Sequence, residues 1–568
     1  VYTTSTAFLD ALQEAGVSYM FANLGSDHPA LVEAIAMARA KGRPIPELVT
    51  CPNEMVALSA AQGYAQVTGR PQAVIVHVEC GTQALAGAVH NVAKARTPVL
   101  IFAGTSPFTQ EGEMRGSRNE FIHWIQDSFD QRGLVRGYMK YDNEIRTGAN
   151  VKQVVHRALQ FACSDPKGPA YLIAAREVME AETTPVELDL AVWRPVADAA
   201  LPAEGLAALV ADLAAAARPL VVTSYLGRKP QAVGELVAFC EKTGAGVLES
   251  APSHLNFPAS HPLYQGNHWN QPHQNEALAS ADVILVIDSD VPWVPLVNKP
   301  AAGAKIHHID VDVLKRQMPL WYIGAGAAFQ ADAATALRQL NAAFEARPID
   351  AARRAAREAH WAGLHDARKE RLAKLEHSEA LTGETLTACV RGLVDADAIV
   401  LNEGISHYHT IVDHLGLDRP GGLIASGGSS LGWNGGAAIG AKLAFPEKTV
   451  VALTGDGSYM FSVPSTVHWM ARHYKTPFLQ VIYNNRGWKS PKLSTLAVHP
   501  DGYASRANDI GVSFDPPPDY AGIAAAAGGA LARKVTTIAE AKAALEEAMV
   551  AVKQEKRCAV IDAWLPHL

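Results

Sequence analysis

Gly455-Asp456-Gly457-Ser458 and, further along, Asn484-Asn485-Arg486-Gly487 bring one carboxylate and two carboxamides to positions that suit a hard cation. The apolar run VVALTG (450–455) leads into the first group and PFLQVIY (477–483) into the second. Both groups therefore sit at the carboxyl ends of buried parallel strands, where open α/β sheets present ligands. Magnesium takes octahedral oxygen and is usually held by one or two protein groups plus phosphate oxygens, so Asp456 and an asparagine oxygen leave sites for a diphosphate. Gly-Asp-Gly is also ordinary turn chemistry, and alone it decides nothing.

Other segments carry candidate chemistry. In CPNEMVALSAAQGYAQVTGRP (51–71), Glu54 opens a helix; a carboxylate in a first turn also simply complements the helix dipole. LNEGISHYH (401–409) ends a strand, and donors around Ser406 and His407 at a strand-to-helix turn suit an anion, a solvated turn being the alternative. Ser26 in FANLGSDHPALVEA (21–34) and His77 in VIVHVECGTQA (74–84) read equally as a turn former and a structural histidine.

Val/Ile-rich strands such as PQAVIVHV (71–78), PVLIFAG (98–104), RPLVVTS (218–224) and ADVILVID (281–288) position these groups. They alternate with Ala/Leu-rich helices, which predicts repeated βα units and parallel sheets. The 568 residues exceed one core and suggest about three domains. The expected division is 1–185, a smaller Rossmann-like unit at 190–345, a charged connecting helix on the surface at 346–377, and 378–568. The first and last units share their size and βα texture.

The formal net charge of −7, with mixed signs, gives no basic stripe for nucleic acid. Six cysteines without CxxC spacing indicate neither a zinc cage nor a disulfide framework. No apolar run is long enough to span a membrane, and VYTTSTAFLDALQEAG reads as a capped helix rather than a signal peptide. A cytoplasmic protein is expected.

Taken together, these motifs resemble the GDG…NN pattern and the three-domain order of the thiamine diphosphate (ThDP) decarboxylase and synthase family, over essentially the whole chain. The resemblance implies pyrimidine-binding, central and diphosphate-binding domains, ThDP and Mg²⁺ as cofactors, and a dimer or tetramer with sites at subunit interfaces. Glu54 falls on the glutamate that bonds N1′ of the aminopyrimidine and favours the 4′-imino tautomer, which activates C2. SGGSSLGWNGGAAIGAKLAF (426–445) resembles the family's GGLGFALPAAIGA; Leu431 falls on the wedge between the two rings and the Ser429 carbonyl on the contact to the 4′-amino group. Ser406, His407, Gly457 and Ser458 fall on diphosphate contacts, and Asp456, Asn485 and the Gly487 backbone on metal ligands.

On the substrate side the chain resembles several subfamilies at once. Ser26 and His77 match the active-site serine and histidine of benzoylformate decarboxylase. Gln126, in HWIQDSFDQRGLVRGYMKY (123–141), matches a glutamine of benzaldehyde lyase and acetolactate synthases, whereas Asp27 stands at benzaldehyde lyase's active-site histidine. The implied activity makes or breaks a C–C bond next to the carbonyl of a 2-keto acid or 2-hydroxy ketone. A flavin-assisted 2-keto acid oxidase and a 2-hydroxyacyl-CoA lyase are alternatives; ending at AWLPHL without a basic tail counts against the latter.

Overall fold

The computed structural model describes residues 1–568 except 270, 272, 508, 509 and 568. Three six-stranded sheets follow one another along the chain, and every strand pairing is parallel. In the first, β1 (Tyr19–Ala22), β2 (Glu47–Thr50), β3 (Gln72–Val76), β4 (Val99–Thr105), β5 (Tyr141–Glu144) and β6 (Pro169–Ala175) lie in the order β2-β1-β3-β4-β6-β5. The central sheet orders β7 (Pro219–Thr223), β8 (Gly246–Ser250), β9 (Tyr264–His268), β10 (Val283–Ile287), β11 (Lys305–Asp310) and β12 (Ala327–Gln330) as β12-β11-β10-β7-β8-β9, the Rossmann arrangement. The third, built from β13 (Ile399–Glu403), β14 (Leu423–Ala425), β15 (Val450–Gly455), β16 (Leu479–Asn484), β17 (Leu531–Val535) and β18 (Ala559–Trp564), runs β14-β13-β15-β16-β18-β17. Its order repeats that of the first sheet strand for strand. Strands such as β3, β6 and β16 are buried along their whole length, which explains their continuous apolar runs.

Successive strands change direction across each sheet at β1/β3, β7/β10 and β13/β15. Such switch points open a crevice at the carboxyl ends, and both sets of candidate residues lie at one. The central crevice is filled by charge: Arg96, from the first domain, makes a paired contact with Asp290 (3.0 and 2.8 Å), and Lys315 Nζ lies 2.9 Å from the same carboxylate.

The first and third domains meet through the helices Glu54–Thr68 and Trp433–Ala444. Their backbones approach so closely that a Cβ on Gly440 would stand 1.9 Å from Ala60 O, and one on Gly63 2.4 Å from Ala437 O. Gly440→Ala is therefore expected to cost about 3 kcal/mol and to lower the thermal midpoint by several degrees. Gly363→Ala, whose added carbon meets nothing within 4 Å, is the control in the same thermal-shift experiment and leaves the midpoint within a degree or so.

The charged helix Ala351–Leu375 is more than a surface connector. Arg357, Trp361 and His365 form a buried stripe along it. Arg357 donates to Thr243 O at 2.7 Å, and the His365 Nδ1–H to Tyr264 O at 2.7 Å. Its charge pattern hid this face, because the buried cation is satisfied by main-chain carbonyls rather than by a carboxylate.

Candidate active site

Loops after β13, β15 and β16 enclose a cavity of about 220 Å³ lined by Ser406, Leu431, Asp456, Gly457, Ser458, Asn485 and Gly487. Asp456 Oδ1 accepts the Gly457 N–H and Oδ2 the Gly487 N–H, each at 2.9 Å. Burial pushes its carboxyl up to about 6 against the pull of those amides. Asn484 is spent, donating to Asp562 at 2.8 Å and accepting the Arg486 N–H at 3.0 Å. Asn485 Oδ1, by contrast, is buried with no partner. A buried carboxylate with no cationic partner among the described residues, beside an orphaned carboxamide oxygen, is a donor set that fits Mg²⁺.

The surroundings fit an anion. Ser406 follows Ile405, which is held at φ 38°, and Arg486, between Asn485 and Gly487, is at φ 62°. Such strained non-glycine positions cost about 1–3 kcal/mol each and cluster at functional loops. His407 Nδ1 is buried without a partner, and burial, with Lys489 nearby, lowers the ring to about 4. Lys489 and Trp488, neither singled out by sequence reasoning, also line the cavity. Glu403 caps the next helix by accepting the N–H groups of Gly432, Trp433 and Asn434 at 2.8–3.1 Å, which fixes Leu431 at the cavity wall. Ser429, at φ 62°, faces a different cavity of about 290 Å³ with Ser426, Gly427 and Gly428.

In the first domain, Asn53 caps the Glu54 helix by accepting the Val56 N–H at 3.1 Å. Glu54 Oε1 accepts from Asn23 Nδ2 at 2.9 Å, and Gly81 leaves it room, since a Cβ there would stand 3.2 Å away. At the same crevice His77 Nε2 lies 2.9 Å from Gln126 Oε1. Ser26 Oγ lies 3.2 Å from His123 Nε2. His123 Nδ1 accepts the Asn119 and Glu120 N–H groups, and its Nε2 also lies 3.4 Å from Arg176 Nη1. Burial and then Arg176 hold this ring neutral.

Thus the structure gathers Asp456, Asn485, Gly487, Gly457, Ser458, Ser406 and Leu431 about one cavity, and Ser26, His77 and Gln126 with Glu54 around the β1/β3 crevice. Nothing from the first domain lines the Asp456 cavity among the described residues. His123, Asn23 and Glu403 escaped sequence reasoning, and Asp27 was marked only as standing where benzaldehyde lyase has a histidine. Asp27 alone had a local signal, a carboxylate in the Gly25–His28 turn directly after β1.

Two terminal α/β domains of one topology each present polar groups at a switch crevice, one a glutamate and the other a carboxylate beside a carboxamide. Family models described as thiamine pyrophosphate enzyme match the chain with their N-terminal TPP binding domain at residues 2–134, their central domain at 206–340 and their C-terminal TPP binding domain at 405–563. The chain belongs to the thiamine pyrophosphate enzymes, and its cofactor is thiamine diphosphate. It is 26% identical to benzoylformate decarboxylase of Pseudomonas aeruginosa over 85% of this chain and 86% of that protein. It is 25% identical to sulfoacetaldehyde acetyltransferase of Castellaniella defragrans over 99% and 92%. The fold superposes on a thiamine diphosphate-dependent 4-hydroxybenzoylformate decarboxylase of Rhodococcus jostii RHA1 with a TM-score of 0.79 and 22% identity, covering 100% of this chain and 99% of that one. It is thus an enzyme of the decarboxylase and acetolactate synthase type. No helix among the described residues is long and apolar enough to cross a membrane.

Proposed function

We propose that the enzyme cleaves or forms the C–C bond next to the carbonyl of a 2-keto acid or 2-hydroxy ketone, with Mg²⁺ as the metal. The observation that carries this reading is the orphaned, buried Asn485 Oδ1 beside buried Asp456. Asp456, Asn485 and the Gly487 carbonyl would hold the metal; Ser406, His407, Gly457 and Ser458 would take the diphosphate. Leu431 would separate the two rings, the Ser429 carbonyl would take the amino group, and Glu54 the pyrimidine nitrogen. When bound, the cofactor supplies a carbon nucleophile that also stores the electron pair left by C–C cleavage. Ser26, His77 and Gln126 handle protons at the substrate. Two of the relatives named above act, by name, as a decarboxylase of a keto acid and as an acetyl transferase, and both activities share this bond change. Incubation with ThDP, Mg²⁺ and pyruvate, benzoylformate or benzoin, followed by assay of CO₂, acyloin and aldehyde, tests the reading. Absence of turnover with all three, together with absent C2 hydrogen exchange on added ThDP, defeats it.

The 1–185 and 378–568 units would each carry half of the site, joined across a dimer. Since no first-domain residue among those described lines the Asp456 cavity of its own chain, Glu54 of one subunit would serve Asp456 of another. Mixing inactive Glu54→Gln and Asp456→Ala proteins under subunit exchange should restore up to about a quarter of wild-type activity, because mixed dimers hold one intact site and one doubly altered. Mixed dimers, verified by native mass spectrometry, that stay inactive would refute the arrangement.

A further inference from the structure

Asp27 lies just past β1 at the first sheet's switch crevice, with its side chain 1% exposed. Its Oδ1 accepts the His77 Nδ1–H at 2.6 Å and its Oδ2 the Val78 N–H at 3.1 Å. Two glycines make room for the pair. A Cβ on Gly25 would stand 2.0 Å from His77 Nδ1, and one on Gly104 2.1 Å from Asp27 Oδ2. Neither glycine has left-handed backbone, so close approach, not conformation, explains them. His28 Nδ1 accepts the Gly25 N–H at 3.0 Å and also lies 3.0 Å from Asp27 Oδ1. The His77 contact is the shorter of the two, 2.6 Å against 3.0 Å.

The far side of His77 also meets an acceptor, Gln126 Oε1 at 2.9 Å, while the Gln126 Nε2 group points to Cys80 Sγ at 3.5 Å. With an acceptor placed at each nitrogen, the ring is set to donate from both. The Asp27 bond, ahead of the opposing effect of burial, raises His77 above the ordinary histidine range. Burial would raise Asp27, yet the adjacent histidines outweigh it and hold that carboxyl low. The other titratable groups near the ring are Glu79, which adds to the rise, and Cys80, whose thiol is itself raised by its bond to Glu79.

We propose that Asp27 is a positioning residue that holds His77 doubly protonated, with Nε2–H turned into the crevice, so that His77 starts the cycle as an acid rather than a base. This rests on the proposed C–C bond chemistry at the same crevice. As negative charge develops on the substrate's carbonyl oxygen, the His77 Nε2–H bond breaks, an O–H bond forms, and the N–H electron pair remains on Nε2. The neutral ring keeps its Nδ1–H on Asp27. Gln126 then turns its amide so that NH₂ rather than C=O faces Nε2, which makes it an adaptor to either protonation state.

The test is a ¹⁵N-histidine NMR titration of the full-length protein, with the His77 resonance assigned by its loss in His77→Gln. In the wild type the midpoint is expected above the ordinary value of about 6.5, and Asp27→Asn should lower it by about one unit or more. Turnover in Asp27→Asn should fall about ten- to a hundredfold at neutral pH, with the high-pH limb of the profile moving to lower pH. C2 hydrogen exchange on bound ThDP should persist in Asp27→Asn, because Glu54 is untouched. A wild-type midpoint at or below the ordinary value, which needs no variant and no assumption about folding, overturns the proposal. So does an equal midpoint in Asp27→Asn. If His77 titrates high but no keto acid or hydroxy ketone is turned over, the fault lies with the proposed reaction and not with the Asp27 pair.

Discussion

Glu54→Gln protein is expected to bind thiamine diphosphate about as tightly as the wild type and to turn over about a thousandfold more slowly. The carboxamide keeps the size of the carboxylate, and its oxygen still accepts from Asn23 Nδ2, 2.9 Å away in the wild type. The helix start is also preserved, since the cap is supplied by Asn53. What the change removes is the negative charge that a proton on the pyrimidine nitrogen requires. The proposed diphosphate and metal contacts lie in the other terminal domain, so affinity should be spared. Hydrogen–deuterium exchange at C2 of bound cofactor reads the effect directly, and wild-type exchange rates in the variant would remove Glu54 from the catalytic set.

Asp456→Ala should weaken Mg²⁺-dependent ThDP binding about a hundredfold or more. The carboxylate does two things at once: it offers the only negative charge among the proposed ligands, and its two oxygens tie together the loops after β15 and β16 through the Gly457 and Gly487 N–H groups. Asp456→Asn, which retains one carbonyl acceptor but no charge, should fall between the two. Trp488 packs so closely on Gly457 that a Cβ there would stand 2.2 Å from its ring, so tryptophan fluorescence reports occupation of the cavity. Equal ThDP affinity with and without Asp456 would place the metal elsewhere.

The strands and their ends were legible in the sequence because full burial on both faces leaves a continuous apolar signal. VVALTG coincides with β15, and the loop chemistry follows directly after it. Glu54 and Asp456 could be picked out for the same reason, each standing at the first turn after a readable boundary. Contacts across the sheet were not legible. His77, expected within a strand, caps the short helix after β3, and its meaning depends on Asp27 fifty positions earlier in the chain. Asp27 stands where benzaldehyde lyase has a histidine, and the fold joins it to one. Lys489 and Trp488 had no local pattern at all, because only the turn at Gly487 brings them to the cavity.

The repeated strand order of the two terminal sheets sets a valence on the chain. On the proposed division of the site, each copy would carry one half-socket of each kind, unlike and complementary, as a plug and an outlet share one appliance. Such a unit can join head to tail without end, giving a filament, or pair reciprocally about a twofold axis, saturating all four half-sockets at once. Under the proposed shared site, reciprocal closure would tie cofactor number to chain number, so that a lone chain would have no complete socket and dilution below the dimer's dissociation constant would extinguish both centres together.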